Sequence, residues 1–408
     1  MKIEKQQKKI ASNTIYTMGG MLVMNGVLQL MIYPLLNREM GAEPLGELLF
    51  IMGLVSILCP SVGQALNNSR LVVQRQYEIK NGDYNCLLLA LGIIGSIAVI
   101  IICKDSFHNM GLVLGVFVLL IITIFRYYGD IEYRINLNYK RYFIYYILLA
   151  AGYLVGYGIY KITDQWIWVF LIGELAAVGY VFFTGTIFHK AFIRSEFFNI
   201  ACKRGLFLTI SYIVTNITLN IDRLVLKNMM GNVEVTEYYV VSLVGKTMVL
   251  LIAPINTIVI SYLTKRKELL NRTQFLKASL AGGVVSLVFF LGCQIGTPLF
   301  VWLFYRDLFE AVRGLMTVAN LSQILGMYSA FLFILVLTFS DEKWQLWLQA
   351  AHFVILTAST ISCTKMFGMT GFAYAVLGAN MIRIAAVIML GTLTAKGKEA
   401  NQCKQEKY

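Results

Sequence analysis

About twelve stretches of this chain are apolar for long enough to cross a bilayer, which takes ~20 residues at 1.5 Å each to span ~30 Å of hydrocarbon. They run approximately from Asn13 to Leu36, Leu45 to Leu66, Cys86 to Cys103, Gly111 to Tyr128, Tyr142 to Tyr160 and Trp166 to Phe188, then from Gly205 to Lys227, Tyr238 to Leu263, Phe275 to Leu303, Leu315 to Phe339, Trp344 to Phe367 and Gly371 to Ala395. The chain therefore reads as an all-α polytopic membrane protein. Its composition, 58% hydrophobic with 14% charged residues, lies outside the soluble range.

The basic residues fix an orientation. With the N-terminus inside, 25 of the 35 Lys and Arg fall beside spans on the cytoplasmic side and 7 on the other, while Arg223, Lys246 and Arg383 lie within spans. The positive-inside rule predicts cytoplasmic termini and an even number of spans. The net charge of +13 sits in short loops, where topology and anionic membrane lipids account for it; nucleic acid is not expected as a partner. The first span is too long, and lacks the small-residue cleavage pattern, to be a removable signal peptide.

Several function classes are excluded. The seven Cys have no CxxC spacing, so neither a metal site nor a disulfide framework is expected. No GxxxxGK[ST] phosphate loop is present, and no loop can hold a separate domain. No cofactor and no catalytic residue are expected, and the function must reside in the helix bundle.

A basic loop from His189 to Arg204 separates six spans from six, giving an N-terminal bundle over 1–195 and a C-terminal bundle over 196–408. The halves echo one another. The first span leads into Arg38, Gly41, Gly46 and Glu47; the seventh carries Asn220, Asp222 and Arg223, followed by Gly231, Glu237 and Tyr238. Six spans per half give both halves the same orientation, as in parallel repeats related by a pseudo-twofold axis along the membrane normal, with the substrate path between them.

These motifs and the span count resemble the oligosaccharide flippases of bacterial polysaccharide biosynthesis, in the MATE-like (multidrug/oligosaccharidyl-lipid/polysaccharide exporter) superfamily. The resemblance implies two six-helix bundles around a cavity that opens alternately to either face. It implies a flippase that turns a polyprenyl-pyrophosphate-linked oligosaccharide from the cytoplasmic to the outer leaflet, working alongside a polysaccharide polymerase and glycosyltransferases. Lipid II flippases of the same superfamily carry two further spans, which are not found here.

Charges inside a bilayer are costly and face a partner or water. Arg383 and Lys246, near the middle of spans twelve and eight, suit a pyrophosphate; an intramembrane ion pair, for instance with Glu174, is the alternative. On the seventh span Thr209, Tyr212, Asn216, Asn220, Arg223 and Lys227 share one face at ~100° per residue, suited either to the pathway or to helix packing. Asp222 is expected to pair with a basic neighbour. Asn25 and Gln29, one turn apart on the first span, can line a sugar path or bind another helix. Tyr142, Tyr146, Tyr153, Tyr157 and Tyr160, beside Gly152-x-x-x-Gly156, point to interface anchoring and packing. His352, with Gln345 and Gln349, is a proton-site candidate or a packing histidine.

Two rivals stand against the flippase. A cation-coupled drug or small-molecule antiporter on the same fold needs an anionic cavity, which Arg223, Lys246 and Arg383 oppose. A membrane-embedded oligosaccharide polymerase or glycosyltransferase needs a larger external loop than the segment Tyr305 to Gly314.

Overall fold

The computed structural model describes residues 16–107, 109–265, 271–337, 340 and 342–405. Lys2, Lys5, Lys8, Lys9, Arg266, Lys267 and Lys407, with the first residues of span one and the last two of span ten, lie outside the described residues. Every regular element among those described is a helix.

In a bilayer, backbone polar groups must be satisfied within their own segment, so these apolar runs become helices. The first unit contains α1 (Tyr16–Met40), α2 (Ala42–Val73), α3 (Asn81–Ile102), α4 (Met110–Ile135), α5 (Tyr139–Thr163), α6 (Ile167–Thr184) and α7 (Phe198–Leu219). The second contains α8 (Ile221–Met229), α9 (Asn232–Lys265), α10 (Arg272–Phe304), α11 (Arg306–Val336) and α12 (Glu342–Gln405). Nine helices among the described residues are long and apolar enough to cross a membrane. One of them runs from Trp347 to Thr394 within α12 and holds two spans, because Gly368 (φ 60°, ψ −146°) breaks it. With α7 continued by α8, and with α9, each of the twelve expected spans contains a helix among the described residues.

The two halves repeat a detail of their backbone. Gly41 (φ 84°) turns the chain from α1 into α2, and Gly231 (φ 140°) turns it from α8 into α9. Both conformations are ones that a side chain strongly disfavours, which explains why a glycine stands at each.

Two π-helical turns interrupt the first helices, at Val27–Ile32 in α1 and at Pro60–Gln64 in α2. The proline cannot donate to the helical ladder, and the wider turn accommodates the loss. The Gly152/Gly156 pair lets α5 lie directly on α6: a Cβ at Gly152 would meet the Gly173 Cα at 2.5 Å. At one end of α1 and α5, Lys161 pairs with Glu39 at 2.6 Å, half exposed and worth little. In the second unit, Phe275, Leu332, Phe333 and Val387 form a hydrophobic cluster where α10, α11 and α12 meet.

Two boundaries differ from the sequence reading. The compact units meet at Asn220/Ile221 rather than at 195/196. The reason is that α7 packs on α2 and α3, with the Asn68 amide donating to the Tyr212 hydroxyl at 2.6 Å. Helices α2 and α4 also run well past the apolar limits, to Val73 and Ile135, and carry charged residues into the bundle.

Candidate functional site

Within the second unit, the short helix α8 presents Asp222 and Arg223 in its first turn. The Lys246 ammonium donates to Asp222 Oδ2 at 2.5 Å, joining α9 to α8, with the carboxylate side chain 8% exposed. Lys246 thus forms an ion pair, the alternative to pyrophosphate binding that the sequence left open, with Asp222 rather than Glu174 as its partner. Arg223, the next residue, has no carboxylate within ion-pair distance among the described residues, although Asp222 lies within range of its charge. Its guanidinium lies 5.4 Å from the Tyr239 ring centroid, and its buried Nε has no hydrogen-bond partner. Lys227 donates to Asn232 Oδ1 across the turn into α9.

Arg383, in the second segment of α12, is the other such cation. One Nη donates to Gln349 Oε1 at 3.2 Å, the guanidinium faces the Phe333 ring at 5.7 Å, and the buried Nε has no partner. His352 stands one turn beyond Gln349, buried, with Nδ1 unpartnered. Arg383, Gln349 and His352 therefore form a polar patch with spare donor capacity on α12. Gln345 has no described side chain.

The remaining candidates lie in the first unit. Glu174 on α6 accepts from Arg126 Nε on α4 at 2.8 Å and from the Tyr153 hydroxyl at 3.0 Å, with both charged side chains under a tenth exposed. It is therefore committed to Arg126 and not to Lys246 or Arg383. Arg126, placed by the sequence reading beside the span on the cytoplasmic side, is buried within the bundle because α4 continues past it. The Asn216 amide donates to Ser61 Oγ on α2 at 2.9 Å, and the Asn220 amide to the Asn216 carbonyl. The Asn25 amide donates to the Met21 carbonyl of its own helix at 2.9 Å. Gln29 falls in the π-helical turn of α1.

The polar face from Thr209 to Lys227, and a second one through Ser211, Thr215, Thr218 and Asp222, are interrupted at Asn220. Asn220 (φ −116°, ψ 17°) ends α7, its N–H bonding back to Asn216 and Ile217, and α8 restarts the helix. Asn216 and Arg223 consequently belong to different units. The tyrosines of α5 are spent in packing: Tyr142 and Tyr146 pack ring to ring at 5.1 Å, and the neighbouring Tyr145 hydroxyl donates to the Arg126 carbonyl at 2.7 Å.

A polar network at the basic end of the first unit was missed. Asp130, 4% exposed, accepts from the Asn67 amide at 2.5 Å, and Asn67 Oδ1 in turn accepts from Arg134 at 2.9 Å. Glu132 accepts from the backbone N–H groups of Thr186 and Ile187. A signal existed: Arg126, Asp130 and Arg134 recur at i, i+4, i+8 on one helical face with alternating sign.

No family model matches the sequence, and no curated protein matches it either. Solved structures do. An inward-facing multidrug resistance MATE family transporter of the MOP superfamily superposes with TM-score 0.66 at 16% identity, over 95% of this chain and 96% of that one. The chain has the MATE transporter fold. An outward-facing structure of the same kind gives TM-score 0.61 at 18% identity over 95% and 96%, and a MATE in complex with MaL6 gives 0.64 at 16% over 96% and 97%. MATE structures of this kind have twelve helices in two lobes, and twelve spans are reached here when α7 and α8 count as one and α12 as two.

Proposed function

We propose that this chain is a flippase that carries a polyprenyl-pyrophosphate-linked oligosaccharide from the cytoplasmic to the outer leaflet by alternating access, for surface polysaccharide assembly. The observation that carries the reading is the pair Arg223 and Arg383. Each stands in a helix of the second unit without a carboxylate partner among the described residues, and each has a buried, unpartnered Nε. A guanidinium left without an anion in a low-dielectric setting is costly unless an anionic ligand completes it. Diphosphate oxygens do so bidentately.

The same fold serves multidrug transporters, so the rival is a cation-coupled antiporter. A cationic drug needs an uncompensated carboxylate inside the bundle. Of the buried carboxylates, Glu174 and Asp222 are paired with Arg126 and Lys246, while Asp83, Asp130 and Glu132 of the first unit rest on neutral donors. In the second unit Asp222 is the one buried carboxylate among the described residues, so the charge left over beside Arg223 and Arg383 is positive, which favours an anionic substrate. With the termini in the cytoplasm of a bacterial cell, a headgroup bearing about two negative charges gains ~4 to 5 kcal/mol per 100 mV on moving outward.

The test is Arg383→Ala in cells that depend on this chain for surface polysaccharide. Export should fail, with lipid-linked oligosaccharide retained on the cytoplasmic side and the variant present in the membrane at normal level. Arg383→Lys keeps the charge but not the bidentate fork and should restore little. Normal export by a stably inserted Arg383→Ala variant overturns the reading.

A further inference from the structure

We propose a second anion-binding site, remote in sequence from Arg223 and Arg383, in the turn from α2 to α3 at the basic end of the first unit, which takes a phosphate or diphosphate group. The turn encloses an open polar pocket of about 550 Å³, lined chiefly by Arg70, Gln74, Arg75, Gln76, Tyr77 and Glu78. That is ample for a diphosphate with part of what it is attached to.

Arg70 is the reason to read the pocket as a site. It is only 8% exposed, yet its guanidinium is held by neutral acceptors alone: Nη1 donates to the Tyr128 hydroxyl at 2.5 Å and Nη2 to Asn81 Oδ1 at 2.7 Å. Its Nε is buried with no partner. Arg126, the other buried arginine of this unit, has a carboxylate; Arg70 has none in ion-pair range among the described residues.

The carboxylates that could serve it are spent. Asp83 accepts from the Lys80 N–H and from both the N–H and the hydroxyl of Ser195. Glu132 accepts from Thr186, Ile187 and the Asn136 amide. A buried cation that lines a pocket, keeps a spare donor and has no carboxylate in ion-pair range among the described residues calls for an anion from outside.

The rest of the lining agrees. Arg75 adds a second, exposed cation, and Gln74, Gln76 and Tyr77 add donors, while Glu78 is the one carboxylate among the lining residues. The pocket is also held in shape before any ligand arrives. Tyr77 packs on Phe197 at 5.0 Å, and the Asn81 amide donates to the carbonyls of Thr186 and His189, both at 2.8 Å. Several donors around two arginines match the oxygens of phosphate better than those of a carboxylate. The phosphate can be carried by a lipid or by a soluble molecule, and the site stands whichever substrate Arg383 serves.

The test uses the full chain in phosphatidylcholine nanodiscs, with inorganic diphosphate and farnesyl diphosphate as probes. The readout is local: the rate at which phenylglyoxal modifies Arg75, followed by peptide mass, against exposed Arg313 in the second unit as reference. Diphosphate should protect Arg75 saturably and leave Arg313 unchanged, and Glu78→Gln should tighten the half-saturating concentration about threefold. Arg70→Gln should abolish protection; where that variant fails to fold, the Glu78→Gln shift decides alone. Equal protection by both probes identifies a soluble ligand, and protection by farnesyl diphosphate alone a lipid-borne one. Absence of saturable protection by either probe, equal protection by chloride at matched ionic strength, or an unchanged half-saturation in Glu78→Gln overturns the proposal.

Discussion

Lys246 Nζ lies 2.5 Å from Asp222 Oδ2, so this cation of α9 is bound to a carboxylate on the preceding helix. Removing one partner leaves the other buried and unpaired. Lys246→Met and Asp222→Asn should each destabilise the protein by about 2 to 3 kcal/mol, and the double variant should recover most of that loss. Thermal unfolding in detergent measures this directly. Strictly additive losses in the double variant would show that the two side chains do not interact.

The Arg126–Glu174 pair makes a parallel prediction for the first unit, with a sharper expectation because both side chains are more deeply buried. Glu174→Ala should cost about 3 to 5 kcal/mol, since it strands both the guanidinium and the Tyr153 hydroxyl. Arg126→Met with Glu174→Met together should approach wild-type stability. The unfolding midpoints of the three variants, compared as a double-mutant cycle, check it. A Glu174→Ala variant with an unchanged midpoint would count against the observed geometry.

Helix α7 is fastened to α2 by Asn216 with Ser61 and by Tyr212 with Asn68. Each bond is neutral, so Asn216→Ala or Tyr212→Phe should cost about 1 kcal/mol of stability. A cysteine at Ser61 combined with one at Asn216 should form a disulfide on mild oxidation, and the cross-linked protein should keep its unfolding temperature or raise it. Failure to cross-link under conditions that oxidise an exposed control pair would place α7 elsewhere.

The architecture was legible because span length and the side preference of Lys and Arg both follow from the bilayer and need no tertiary information. The need for partners at Glu174 and Asp222 was legible for the same reason: a lone charge does not persist in hydrocarbon. Which cation each takes was not legible. Arg126 is 48 residues from Glu174 and Lys246 is 24 from Asp222, and only packing selects among the available cations. Arg126 was counted with the cytoplasmic-side cations because it stands in the last turn of the apolar run to Tyr128, whereas the helix continues to Ile135 with its polar groups bonded inside the bundle. The break at Asn220 was hidden for the opposite reason. The polar periodicity from Thr209 to Lys227 runs on without interruption, and an asparagine inside such a pattern gives no sign that it ends one helix and begins another.

Orientation sets the sign of the membrane potential's contribution to transport, and it rests on the distribution of basic residues alone. In a Cys-free background, Lys80→Cys lies at the turn into α3 and Gln165→Cys at the turn between α5 and α6; both positions are exposed and on opposite ends of the bundle by helix count. An impermeant thiol reagent added to intact cells should label Gln165→Cys and spare Lys80→Cys until the membrane is permeabilised. Moving Arg126 from the loop to the interior leaves the basic excess on the same side, so the expectation holds after that correction. The opposite labelling pattern would place residues 74–80 outside. Outward transport of an anionic headgroup would then run from the end carrying residues 161–166 rather than from the basic end, and the driving force assigned to it would be wrong.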